Sequence, residues 1–190
     1  APGADAEAPI KTESSPPTAP EGINDLLLDE LRDILHAEKQ LTKALPKMAK
    51  KASSAKLRAA FTKHEKETQA QVERLEEVLG LLEKRAAGKK CPAIDGIIEE
   101  ASEVMKEAKD ETIRDAAMLA AAQSVEHYEI SRYGTLVAWA QKMEMTDAAK
   151  LLQATLDEER KTDESLTKLA ESEINVEAND VDEEEVRSKR

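Results

Sequence analysis

The sequence is poor in the residues that most other folds draw on. Aromatics make up 2% of the 190 residues: one Trp, two Tyr and one Phe. There are six glycines, and five of the seven prolines fall within the first 20 residues, so the body of the chain has few helix breakers. A single cysteine, Cys91, excludes an internal disulfide framework and points to a reducing compartment, with the cytoplasm as the expected location. Placed before Pro92 in a loop, it reads as an inert thiol. No apolar run approaches the ~20 residues that cross a bilayer. Nicotinamide, flavin and nucleotide motifs are missing, as is a Ser/His/Asp constellation, and three histidines are too few for a zinc hydrolase.

Alanine, leucine, glutamate and lysine dominate instead. Charged residues reach 36% and hydrophobic ones 40%, a balance typical of long helices rather than sheets. The net charge of −12 gives a surface that repels nucleic acid and anionic membrane, so neither is an expected partner.

Residues 1–22 are rich in Pro, Ala, Glu and Ser without apolar period and read as a disordered tail; residues 173–190 read as a mostly solvated acidic tail. Between them lies one folded body, residues 23–172, with four long helical segments. Segment A runs from a cap at Asn24 to Lys51, and Pro46 should kink it near its end. Segment B follows a cap at Ser53–Ser54 and runs to Glu83. A shorter helix over 93–109 follows the loop 84–92. Asp110 then caps segment C, which runs to Met143, and segment D spans Thr146 to Glu171. The short A/B and C/D turns imply antiparallel hairpins, and the B–C link is long enough to cross the length of a bundle. The fold class expected is all-α.

Each long segment has an apolar seam at alternating spacings of four and three, and each seam is broken near its middle by an acid or a histidine. Segment A reads Leu27, Leu31, Ile34, Glu38, Leu41, Leu45, Met48. Segment B reads Leu57, Phe61, His64, Thr68, Gln71, Leu75, Val78, Leu82, with Glu67 beside its polar middle. Segment C reads Leu119, Ala122, Glu126, Glu129, Tyr133, Leu136, Ala140, and a neighbouring seam (Ala116, Ala120, Gln123, His127, Ile130, Gly134, Val137) suggests a broad buried face. Segment D reads Ala148, Leu152, Thr155, Glu159, Thr162, Leu166, Leu169, with Asp163 one turn beyond Glu159.

The breaks fall at one depth. Glu38 lies about 12 residues before the A/B turn and Glu67 about 13 after it, a mismatch of a couple of ångströms at ~1.5 Å per residue. Glu126 and Glu129 stand at matching distances from the C/D turn as Glu159 and Asp163 do. One internal layer would thus hold Glu38, His64, Glu67, Glu126, Glu129, Glu159 and Asp163. Buried charges cost several kcal/mol each unless compensated. No Lys or Arg sits at the seam centres, and Arg74 and Arg132 lie off them. Two divalent cations would balance the layer, and a carboxylate-rich set suits iron or manganese.

The stretches "AEKQLTKALPKMAK", "HEKETQAQVERLEEV", "KKCPAIDGIIEEA", "RDAAMLAAAQSVEHYEISRYGT" and "AAKLLQATLDEERKTDESLT" resemble the YciE/YciF group of ferritin-like proteins, over about residues 23–172. The resemblance implies a ferritin-like antiparallel four-helix bundle with a di-metal centre in a bacterial stress protein, and a homodimer. The general ferritin-like pattern takes a Glu from each of two helices and a Glu-x-x-His from each of the other two. This chain departs from it: segment B carries His64-x-x-Glu67 in reverse order, and segment D has Thr162 where the histidine would stand. Segment C supplies Glu126-x-x-Glu129. Glu38, Glu67, Glu126 and Glu159 are the first ligand candidates, then Glu129 and His64, then Asp163.

The leading functional expectation is a di-iron or di-manganese protein reacting with peroxide or dioxygen, an oxidoreductase of peroxidase, catalase or ferroxidase type. Glu67 and Glu159 are expected to bridge the two ions. The catalytic residue is unassigned; Tyr133, one turn beyond Glu129, is a candidate hydrogen-bond or electron donor. His36 and His127 lie off the glutamate seams and are read as non-ligands. Two other classes remain open: a metal-free or structurally metallated bundle acting as a stress or interaction protein, and iron storage or detoxification in a large shell.

Overall fold

The computed structural model describes residues 20–188, with side chains through Val181. The expected disordered tail lies, up to residue 19, outside the described residues. Six α-helices follow: α1 (Ile23–Lys51), α2 (Ala55–Leu81), α3 (Pro92–Glu107), α4 (Glu111–Lys142), α5 (Thr146–Leu169) and α6 (Asn175–Ser188). The described residues contain no strand.

The caps explain most of the boundaries. Ser54 accepts from the Leu57 amide at 3.3 Å and starts α2. Asp110 Oδ1 accepts from the Thr112 and Ile113 amides at 2.8 and 3.1 Å and starts α4, so first-turn amides that lack helical partners are satisfied. At α1 the expected cap, Asn24, is already inside the helix. Gly22 occupies the cap position in extended conformation and contributes no side chain. The helix runs through Pro46 to Lys51.

The long helices pair in sequence order, α1 with α2 and α4 with α5, and the pairs join through α2–α5 and α1–α4 contacts. Cross-links set the directions. Along α1, Glu30, Asp33 and the turn residue Ser53 meet Arg132, Tyr128 and Asp115, a descending order on α4. Along α2, Lys56 and Gln71 meet Glu173 and Glu158, again descending. Neighbouring helices in this helical bundle are therefore antiparallel, and the 82–110 connection returns the chain along its length. α3, within that connection, packs on α4 and α1.

The seams point inward as their spacing requires. All seven members of the α1 seam and all seven of the main α4 seam are buried. Full burial of a Leu-sized side chain contributes about 1.5–3 kcal/mol, so the apolar members on either side of each polar break dominate the packing. The neighbouring seam of α4 differs from expectation. Ala120 and His127 are exposed, and Gln123, Ile130 and Gly134 are only partly covered. The opposite flank is covered instead, through Met118 and Val125, and Val125 lies beside Ile97, Ile98 and Met105 of α3.

The chain stays helical past residue 173, where a solvated tail is expected. Ala170–Ile174 form a π-helical segment, with the Asn175 amide bonded to Ala170 O, and Ile174 is buried. Lys56 of α2 reaches Glu173 in this segment.

Candidate metal centre

The polar breaks of the four long helices converge inside the bundle. Glu38 from α1, His64 from α2, Glu126 and Glu129 from α4, and Glu159 from α5 are all buried, none retaining more than 5% of its surface. One potential donor atom from each of His64, Glu126, Glu129 and Glu159 lies within 4.8 Å of the others. His64 Nε2 stands 3.1 Å from Glu126 Oε1. Glu38 sits beside this group, and its Oε1 accepts a hydrogen bond from the buried Tyr133 hydroxyl.

Two expected ligands are placed less centrally. Glu67 keeps 28% of its side-chain surface; it pairs with Lys63 outside and stands 3.9 Å from His64 Nδ1 inside. It forms the rim of the cluster. Asp163 lies 3.2 Å from His127 Nε2 and is not in the converging group. This pairing draws Asp163 toward the exposed edge of α4, which its one-turn spacing from Glu159 does not reveal. His36 meets Asp95 at 3.2 Å, away from the cluster.

The electrostatics are those of crowded, desolvated acids. Burial raises Glu38 to a pKa of about 7, although the Tyr133 hydrogen bond and the His64 charge pull it down. Glu129 is pushed well above the usual carboxylate range by burial, then by Glu38, Glu159 and Glu126. Glu159 is likewise raised by burial and by Glu126. Burial opposes a proton on His64, yet the neighbouring carboxylates of Glu126 and Glu67 outweigh it and hold its pKa well above normal. Glu67 is lowered to about 2, first by His64, with Lys63 adding.

Hydrogen bonding leaves much of this cluster unsatisfied. Both oxygens of Glu129 and of Glu159, and one each of Glu38, Glu67 and Glu126, are buried without a hydrogen-bond partner. Buried polar atoms are ordinarily paired, and each exception calls for a cause. The nearby guanidinium groups are committed elsewhere: Arg74 to Glu158 at 2.9 Å and Arg132 to Glu30 at 3.1 Å. Four buried carboxylates and one imidazole match the preference of hard-to-borderline divalent cations such as Fe(II) and Mn(II) for oxygen with some nitrogen. The donor set fits such ions.

Over residues 22–179 the chain matches the family described as a domain of unknown function, DUF892. The chain belongs to that family. It is 47% identical over 160 residues to Protein YciF of Escherichia coli, covering 82% of this chain and 95% of that protein. Among solved structures, that of the E. coli stress protein YciF matches with a TM-score of 0.78 at 46% identity, over 82% of this chain and 98% of that one. YcfI of Rhodopseudomonas palustris matches with a TM-score of 0.76 at 48% identity, over 77% and 94%. A protein from Xanthomonas campestris pv. campestris, 21% identical, matches with a TM-score of 0.64 over 86% and 99%; this is a likeness of fold alone. The expected kinship with YciE/YciF proteins holds, and the chain is a homologue of a bacterial stress protein. Among the described residues, no helix is long and apolar enough to cross a membrane.

Proposed function

We propose that this family member is a ferritin-like antiparallel four-helix bundle whose buried cluster holds two divalent ions, iron or manganese, for reaction with peroxide or dioxygen. The observation that carries the reading is the set of buried, unpartnered carboxylate oxygens on Glu38, Glu126, Glu129 and Glu159. His64, Glu126, Glu129 and Glu159 would hold the ions, and Glu38 and the rim residue Glu67 would complete the set. Asp163, which lies outside the converging group, is not counted among them. When bound, a pair of such ions supplies redox chemistry toward peroxide or dioxygen.

The protein's own groups prepare the site. Burial raises the Tyr133 hydroxyl well above its ordinary pKa, so it keeps its proton and donates a hydrogen bond to Glu38. That hydrogen bond orients one carboxylate before any ion arrives. Buried apolar side chains stand one turn from the cluster on the same seams, Leu41 after Glu38 and Phe61 before His64. The proposed assembly is a homodimer, and the proposed substrate is a small oxidant.

The test is elemental analysis of protein purified without chelator, with mass by light scattering in the same run. Close to two Fe or Mn per chain supports the reading, and peroxide consumption is then assayed. No metal, and none taken up on anaerobic addition of Fe(II) or Mn(II), sinks it. A particle of hundreds of kilodaltons would instead indicate a storage shell. A metal-free role is favoured by the complete burial of Glu129 and Glu159, which pushes both carboxyls well above their usual range and lets them keep their protons in the core. In that case the cluster would serve as a register-setting polar layer.

A further inference from the structure

Polar side chains grade from solvent to centre along the α2–α5 seam. Glu158 keeps 34% of its side-chain surface and Arg74 keeps 20%. Arg74 grips both oxygens of Glu158, Nη1 to Oε2 at 2.9 Å and Nη2 to Oε1 at 3.0 Å. Its Nη1 also donates to Thr155 Oγ1 at 2.7 Å. Inside this fork, Gln71 and Thr155 retain 0% and 1% of their surface. Gln71 Nε2 donates to Glu158 Oε2 at 3.1 Å, and its Oε1 is buried without a hydrogen-bond partner. The next residue on α5 after Glu158 is Glu159, a member of the converging cluster.

This arrangement is hard to explain as packing. A glutamine on a core seam with its carbonyl unpaired is destabilising relative to an apolar residue of the same shape. Its amide also faces a definite way, with the nitrogen held by Glu158 and the oxygen free. Oxygens therefore follow one another in order of burial along the seam: the half-exposed Glu158 carboxylate, then the buried Gln71 Oε1 and Thr155 Oγ1, with Glu159 one helical turn beyond Thr155 on the same face of α5. Oxygen donors of this kind suit Mn(II) and Mg(II)-like cations stripped of part of their water. Arg74 is the cation built into this series, and it stands at the outer end.

We propose that the α2–α5 seam is the access route for divalent cations to the centre, and that the Arg74–Glu158 pair is its latch. The proposal rests on the metal-binding reading above. With the pair closed, the guanidinium covers Glu158 and repels an approaching cation. With it open, Glu158 captures the ion and passes it to Gln71, Thr155 and Glu159. A route changes rates in both directions and leaves equilibrium affinity alone, which separates it from a ligand or a structural support.

The experiment uses the full chain, freed of metal by chelator, with Co(II) as a probe that needs no anaerobic handling of iron. Loading is followed by stopped-flow visible absorption, and release by mixing the loaded protein with EDTA. Arg74→Met is expected to speed loading and release together by about fivefold or more, the scale of one unit charge removed a few ångströms away in a partly solvated site. Glu158→Gln and Gln71→Leu are expected to slow both, with the Co(II) dissociation constant unchanged. Glu158→Gln is nearly isosteric, so the proposal stays testable if Arg74→Met folds poorly by circular dichroism. No Co(II) uptake by the unaltered protein overturns the centre and the route together. Uptake with unaltered rates in Glu158→Gln and Gln71→Leu overturns the route and leaves the centre standing. A changed affinity at unchanged loading rate makes these residues supports, which also overturns it. So does acceleration by Lys63→Met in place of Arg74→Met, because access would then be at the Glu67 rim.

Discussion

Tyr133 on α4 donates its hydroxyl hydrogen to Glu38 on α1, and both side chains are completely buried. The bond crosses an interface between helices distant in sequence and fixes one oxygen of a proposed ligand. The other oxygen, Oε2, is left free.

Tyr133→Phe keeps the ring and removes only this bond. Glu38 would then have two unpartnered oxygens in the core. Loss of a hydrogen bond to a buried acidic group costs about 1–3 kcal/mol, so the metal-free protein should melt several degrees lower. Groups that orient metal ligands are worth about 10–100-fold in affinity. Titration with Mn(II) should show a weakening of that order, and an unchanged dissociation constant would place Glu38 outside the ligand set.

Glu159→Gln should act in opposite directions on the two forms. Replacing a buried, crowded carboxylate by a neutral amide relieves repulsion from Glu126 and Glu38. The chelator-treated variant should be at least as stable in urea, with a gain of up to about 4 kcal/mol, the range seen when buried ionic groups are replaced by uncharged side chains of similar volume. The same variant should bind less metal per chain. Lower stability in the metal-free form would show that Glu159 is already compensated by the protein.

Stability against pH follows from the same groups. Glu38, Glu129 and Glu159 have folded-state pKa values above their unfolded ones, Glu38 rising from 4.5 to about 7. Each contributes stability that is complete below about 4.5 and lost as pH rises through the folded value. His64, also raised, contributes with the same sign from its ordinary 6.5 upward. Glu67, lowered to about 2, has the opposite sign, and its contribution is lost only as pH falls from 4.5 toward 2. Metal-free protein should therefore melt higher near pH 5 than near pH 8. Bound divalent ions should flatten or reverse that slope. A metal-free melting temperature that rises across this range would contradict the assigned shifts.

Asp115 offers a comparison away from the centre. Buried on α4, it accepts from the Ser53 amide at 3.0 Å, the Ser53 hydroxyl at 2.6 Å and the Ser54 amide at 2.6 Å, tying the α1–α2 turn to α4. Asp115→Ala should cost about 2–4 kcal/mol, since bonds to a charged acceptor are the stronger kind and two backbone amides lose their partner. Metal content of the folded fraction should not change. A loss of metal at full helicity would mean that the turn positions the α2 ligands.

The seams are legible in the order of residues alone. Spacings of four and three place Leu27 through Met48, and Leu119 through Ala140, on one side of their helices, and every one of these side chains is buried. Equal distances from the turns also put Glu38, Glu67, Glu126, Glu129, Glu159 and Asp163 at one depth, because rise per residue is the same in every helix. The sequence by itself thus determined the helices, their inward faces and the level of the acids. It could not rank those acids. Whether a carboxylate at the edge of a seam turns inward depends on what stands beside it, and periodicity along one helix carries no information about a neighbour. Glu67 has Lys63 on its outer side and His64 on its inner side. Asp163 has His127 from another helix. The site of α3, which lies beside Val125 and away from the exposed His127, is likewise a matter of helix on helix. So are the Tyr133–Glu38 bond and the Arg74–Glu158 fork. Those pairs join residues 95 and 84 positions apart, and only the packing of the four helices brings them within reach.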